Sequence, residues 1–458
     1  MSMFHSSTRH ARQLALAVFC AVLGAFALNA CVARAASPWW HLASSTRPTY
    51  IDPGQARDEV QQLTARLGES YELGTNCAGL LERNDCVGGA TMTAGEAPVT
   101  LQKQLEELYG AGNVEVTGTS PYETYEIKFV GELTDLPVGP LRRESPEEPL
   151  ELGPVKVKVL AEGRADGVIA VTATNIGDES ANGETQPVRI ADKLPPGLKA
   201  FAIEGVVNEK LGNFGTESYF LQCGLGSLSE CTFNGKYPGM GEEEGYPSSV
   251  PPEEQIEVLI AVNVEEGEKA ATTGASNVAS VVGGGAPAAT ATQSLTVSDT
   301  PVPFGVNAYE VRAEDEGGAA DTQAGSHPFQ LTTTLGLNET FNGRAAGGLA
   351  KDLHFKLPPG LIGNPTPFPR CTLAQFLTNL QGGGTACPAD TQVGVTRTML
   401  RLPLEGGRFL VPFVDPVYNL EPSVGEPARF GFVVDNEVPV YLDTAVRTGG
   451  DYGVTVNV

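Results

Sequence analysis

Leu194-Pro195-Pro196-Gly197-Leu198 closes an alternating run of Val188, Ile190 and Leu194. The same five residues return as Leu357-Pro358-Pro359-Gly360-Leu361, after Leu353, Phe355 and Leu357. Apolar residues at every second position describe a strand with one buried face. Two prolines then remove two backbone donors and fix φ, so the ladder stops there. Gly197 and Gly360 supply a turn position where φ can be positive. The repeat reads as a strand end used twice. It carries no polar side chain that would argue for a ligand loop.

Working outward, the 458 residues exceed one hydrophobic core and predict about three domains. Gly 54 and Pro 33 fall between short alternating runs, which is the composition of turn-rich β structure. The expected fold is mainly β: tandem immunoglobulin-like antiparallel β-sandwiches preceded by a small α+β domain. The formal charge of −25 opposes nucleic acid and anionic membrane surfaces as partners.

Residues 1–35 read as a secretory signal. His5, Arg9, His10 and Arg12 precede an apolar run from Leu14 to Leu28, and Ala33-Arg34-Ala35 supplies the small residues of a cleavage site. The run is short for a membrane span, and no transmembrane segment is expected in the mature chain. Removing three arginines and no acid takes the mature charge to −28. Leu28-Asn29-Ala30-Cys31 offers an alternative, lipidation at Cys31, although Asn29 departs from the usual lipobox. Six cysteines then remain in three close pairs: Cys77 and Cys86, Cys223 and Cys231, Cys371 and Cys387. In an exported chain these are expected disulfides.

Residues 36–145 form the α+β domain. Trp39-Trp40-His41 reads as an exposed aromatic tail. Val60, Leu63 and Leu67 have a short helical spacing. Leu101, Leu105 and Leu108 predict a helix face ended by Gly110. Val114 with Val116, and Tyr125, Ile127 and Phe129, predict strands. Arg143 to Pro149 reads as a linker. Residues 146–300 form the first sandwich, from Val155, Val157 and Val159, then Ile169, Val171 and Ala173, to the run Ile256 to Val264. Residues 239–254 read as a long acidic surface loop. Residues 301–458 form a second sandwich. Its runs are Phe329 to Leu337, Phe430 to Val434 and Val438 to Leu442. Its last strand, Val454 to Val458, predicts a natural chain that continues further.

Val171-Thr172-Ala173-Thr174-Asn175-Ile176-Gly177, then Leu194 to Leu198, then Asn277-Val278-Ala279-Ser280-Val281 resemble the conserved repeat domain of bacterial surface proteins. There a strand ending in TNxG leads to LPxGL, and NxAxV closes the module. The resemblance implies a β-sandwich stalk or spacer over about a third of the chain. It has one departure, the Cys-bearing insertion at about 205–254. Ala324 to Pro328, Leu357 to Pro365, Cys387 to Gly394 and Arg447-Thr448-Gly449-Gly450-Asp451-Tyr452-Gly453 resemble large exported surface proteins of soil actinobacteria. So do Trp39 to Leu42 and Gly110 to Gly131. That family implies no biochemical activity.

No catalytic constellation assembles. There is no G-x-S-x-G elbow, no H-E-x-x-H helix and no phosphate loop. Among the histidines, His354 lies on the polar face of its strand, and His327 precedes a proline that keeps it extended. No pair of cysteines has CxxC spacing for zinc. Catalytic, cofactor-binding and metal residues are therefore expected to be none. The chain reads as an exported, non-enzymatic cell-surface or extracellular protein of spacer modules, with cell-envelope or extracellular protein and polysaccharide partners. The alternatives are a polysaccharide- or envelope-binding module and, behind it, an exported hydrolase.

Overall fold

The computed structural model describes residues 36–458 apart from 69, 75–88, 122, 144–154, 211–215, 236–248, 269–273, 362, 379–384 and 405–406. The predicted signal, Cys31, Cys77, Cys86 and most of the linker and acidic loop lie outside the described residues. Among the described residues the chain is mainly β, in several antiparallel sheets with one substantial helix.

At the centre is a sandwich of two five-stranded sheets. One runs Trp40–Arg47, Gly167–Asn175, Gln255–Val264, Leu198–Lys210, Thr216–Phe220. The other runs Gln222–Gly224, Ser229–Phe233, Val188–Lys193, Ser276–Gly283, Ala286–Ser294. Alternation sets the packing. Leu42, Ile169, Val171, Val258 and Ile260 of the first sheet share one core with Val188, Ile190, Phe233, Ala279 and Val281 of the second. Ile260 stands opposite Ile169 on one neighbour and Ile203 on the other, so a register slip would turn these rows outward. The first Leu-Pro-Pro-Gly-Leu turns between two strands of this sandwich, with Gly197 at φ 85°. Its carbonyl accepts from Glu265 N.

The central strand Gln255–Val264 is buried on both faces. Its outer face is covered from two directions. Ala261 packs with Leu136 of the N-terminal unit, and Leu259 with Phe341 of the C-terminal unit. The Phe341 ring also lies 4.7 Å from the Arg164 guanidinium.

In the N-terminal unit the helix Pro98–Tyr109 lays Leu101 and Leu105 on a sheet bearing Leu63, Tyr125, Ile127 and Phe129. Proline stands at its start, and Gly110, at φ 92°, returns its N–H to the Glu106 carbonyl. Two expectations are corrected here. Residues Val60–Ala65 are a strand, not a helix. Gln61 occupies an inward position of that strand, where it is fully buried. Its amide donates to the Val138 and Gly139 carbonyls and its carbonyl accepts from Leu141 N, so a polar residue breaks the apolar alternation. The strand Val155–Ala161 pairs with Val60–Ala65 and belongs to this unit's sheet, not to the sandwich that follows.

A third correction concerns Trp39-Trp40-His41, which is not an exposed tail. The strand Trp40–Arg47 pairs along its length with Gly167–Asn175. Trp40 enters the sandwich core and its indole N–H donates to the Gly283 carbonyl at 3.1 Å. The partner strand lies far along the chain, so nothing local signals this pairing.

The C-terminal unit has a six-stranded sheet, in the order His354–Lys356, Val454–Asn457, Val438–Val446, Arg429–Val434, Gly407–Leu420, Gln392–Leu404. A two-stranded ribbon, Val306–Glu314 with Gln330–Leu337, completes it. Its core is small: Cys371, Phe376, Leu420 and Val433. The one-turn helix Leu373–Phe376 carries a capping box between Thr372 and Gln375. A side chain at Gly431 would meet the Phe376 ring, so glycine lets the helix approach the sheet.

Candidate functional site

The second Leu-Pro-Pro-Gly-Leu and the Arg447 to Gly453 segment, distant in sequence, meet at one end of the six-stranded sheet. Lys356, Pro358, Pro359, Arg447, Gly450 and Asp451 line a shallow cleft of about 480 Å³ between them. Arg447 follows the strand Val438–Val446 and joins the two segments. Its Nη2 donates to the Leu357 carbonyl at 2.9 Å and its Nη1 to the Val454 carbonyl at 2.7 Å. Nε and Nη2 hold the Asp451 carboxylate at 2.7–3.1 Å. Gly453 N–H donates to the same carboxylate. The Arg447 guanidinium, with the Gly453 N–H, holds the Asp451 carboxyl down at about 2.

This arrangement is a closed turn, not an anion receptor. The guanidinium donors are directed at the protein's own carbonyls and Asp451. Thr448 and Lys356 are on its lining, but no histidine, serine or cysteine stands beside them there. His354 is exposed with Nδ1 2.7 Å from Asn457 Oδ1, and His327 is exposed in irregular backbone. His41 is buried under the ribbon, its Nε2 3.2 Å from Glu310 Oε2. Asn338, the first residue of an Asn-Glu-Thr triplet of the kind that is N-glycosylated, is buried and donates to the Pro303 carbonyl. Among the described residues no group of three or more His, Cys, Asp or Glu could hold a metal ion. Nor is any helix among them long and apolar enough to cross a membrane.

Among the described residues two disulfides are present. Cys223 and Cys231 stand directly opposite on paired strands, Cα atoms 4.1 Å apart. Cys371 and Cys387 bracket the short helix, Cα atoms 5.3 Å apart.

Three groupings that the sequence reading did not single out bind the molecule together. Arg47 Nη2 contacts Glu257 Oε1 at 2.9 Å and its Nε contacts Glu339 Oε2 at 3.1 Å, tying the central sheet to the segment after the ribbon. The Trp39 ring meets Phe329 edge to face, at 6.3 Å. Within the sandwich, Asn277 Nδ2 donates to Asp192 Oδ2 at 2.7 Å, both residues fully buried. Asp192 had a readable signal: it continues the inward row of Val188 and Ile190.

No family model matches the chain. No curated protein matches it in sequence. Among solved structures, the C-terminal domain of the Streptococcus agalactiae AgI/II polypeptide BspA aligns at 10% identity, over 57% of this chain and 93% of that one, with a TM-score of 0.19. The C-terminal domain of the Streptococcus pyogenes antigen I/II-family protein AspA aligns at 12%, over 57% and 92%, with a TM-score of 0.18. Likenesses this distant carry no argument about sites or partners.

Proposed function

We propose that the chain is an exported, non-enzymatic surface protein whose modules, a small α+β unit at about 36–145 followed by β-sandwich units at about 146–300 and 301–458, act as a locked spacer. One observation carries this reading. The strand Trp40–Arg47 is engaged on both sides, its inner face in the central core and its partly buried outer face, through the adjoining Trp39 and through His41 and Arg47, against the C-terminal unit. Such a strand makes separate modules mechanically dependent on one another, which suits a structural role. Two disulfides support an oxidising compartment. The actinobacterial surface-protein resemblance points the same way.

A binding role would fall to the ribbon and the residues that flank it, where Tyr309, Phe304 and Phe329 are exposed; this is the reading that includes polysaccharide or envelope ligands. The test is protease treatment of intact native cells, with intact mass of the protein before and after reduction. Surface-accessible protein lacking residues 1–35 and gaining hydrogen on reduction supports the proposal. Cytosolic protein with free thiols overturns it. Turnover of any substrate in a hydrolase panel overturns the non-enzymatic part.

A further inference from the structure

The Asp192–Asn277 contact leaves two oxygens without partners. Asp192 Oδ2 accepts from Asn277 Nδ2, while Asp192 Oδ1 and Asn277 Oδ1, both inaccessible, accept from no group among the described residues. A buried acceptor without a donor is costly. A single proton removes both deficits. A carboxylic acid and a carboxamide are complementary: the acid O–H donates to the amide oxygen while the acid carbonyl accepts from the amide N–H.

We propose that Asp192 is a built-in proton site, closing a two-hydrogen-bond ring with Asn277 in mildly acidic surroundings and opening it as the carboxyl ionises. The central sandwich is then tightest when the proton is bound.

The surroundings favour the neutral acid. On its strand Asp192 follows Val188 and Ile190 inward. Directly opposite on the neighbouring strands stand Ser229 and Ala279. Ser44, from Trp40–Arg47, accepts a longer bond from Asn277 Nδ2 at 3.3 Å and donates to Gln293 Oε1. The charged groups of these elements lie on outer faces: Lys193, Arg189 with Glu230, His41 with Glu310, and Arg47 with Glu257 and Glu339. Burial pushes the Asp192 carboxyl up to about 6, against the opposing bond from Asn277.

The sign follows from linkage. A carboxyl raised from 3.8 to about 6 costs nothing while both states are protonated, below pH 3.8. Stability falls as pH climbs from there to about 6, and then levels off. The full span corresponds to about a hundredfold in the folding equilibrium constant.

The test is Asp192→Asn in the full chain. An amide at this position donates to Asn277 Oδ1 permanently and never titrates, so it imitates the protonated acid. Both tryptophans, Trp39 and Trp40, border or enter this sandwich, so their fluorescence during urea unfolding reports it directly. The expected result is a D192N protein about ten- to a hundredfold more favourably folded than wild type at pH 7.5. At pH 4 the two should converge, and taking their difference removes the general effect of the acidic surface. Parallel curves, or D192N weaker at every pH, overturn the proposal. Carbon-13 NMR of the aspartate carboxyls in wild-type protein gives an independent reading. An Asp192 signal that titrates at the ordinary carboxylate position also overturns it, and one that titrates near pH 6 supports it.

Discussion

Replacing Arg47 by methionine tests whether the modules are locked as described. The guanidinium lies between two carboxylates, and the side chains of Arg47 and Glu257 are only 15% and 10% exposed. Glu339, at 27%, is wetter. Burial is the largest single influence on the Arg47 guanidinium and lowers it, but Glu257 and Glu339 together outweigh it and hold the group above its ordinary value. Removing one member of a buried pair costs about 3–5 kcal/mol, mostly because the remaining charge is stranded. The partial exposure of Glu339 places R47M at the lower end, about 3 kcal/mol. Glu339 also exchanges backbone contacts with Thr49, so the ribbon should loosen with it. The assay is urea unfolding at pH 7, followed by tryptophan fluorescence. The penalty should shrink in R47M/E257L, which leaves an apolar pair. A loss below about 1 kcal/mol, or a double variant no better than R47M, would refute the account, since surface ion pairs give values of that size.

Replacing Cys371 and Cys387 together by serine should destabilise the C-terminal unit by about 3 kcal/mol, read as a lowered melting transition, because the disulfide spans sixteen residues and holds up a four-residue core. Gly163→Ala should cost more than about 3 kcal/mol in chemical denaturation. A β-carbon there collides with the Leu136 carbonyl, and the shift would break the 2.7 Å bond from Gly163 N to Glu59. The Asp451 carboxyl, lowered from 3.8 to about 2, should keep the Arg447 turn closed at all pH above 4 and release it as pH falls towards 2. The Gly453 amide resonance would report the opening, and a shift centred at higher pH would contradict the geometry.

Period-two patterning made much of the fold legible. Ile169, Val171 and Ala173 enter the core as their alternation requires, and Leu101, Leu105 and Gly110 mark the helix and its end. The failures share a cause, the satisfaction of polar groups by distant partners. Gln61 could not be read as inward because its partners, near Val138 to Leu141, lie well along the chain. The two tryptophans could not be placed because strand pairing with Gly167–Asn175 and cover from Phe329 are tertiary events. The ribbon shows the converse. Phe329 and Leu331 alternate as core residues would, yet both are exposed, so alternation establishes a strand without guaranteeing a cover.

The two copies of Leu-Pro-Pro-Gly-Leu show how one strand end supports different chemistry. Both place glycine at positive φ, 85° and 90°, so the turn itself is the same device. The difference lies two residues before the first leucine, on the face that the strand buries. In the first copy that position is Asp192, held against Asn277 inside a closed sandwich. In the second it is Phe355, stacked on Tyr309 of the ribbon at 5.8 Å. An aromatic ring fits where two layers meet at a partly open margin, since it gains contact area and leaves no polar atom unpaired. A carboxyl is tolerable only where a complementary amide is held opposite. The residue before the repeat, not the repeat, therefore separates a titratable joint from an apolar one. Phe355→Asp would test that distinction. It places a carboxyl with no amide facing it, and should destabilise the C-terminal unit at neutral pH, read as a lowered melting transition; an unchanged melting transition would refute the distinction.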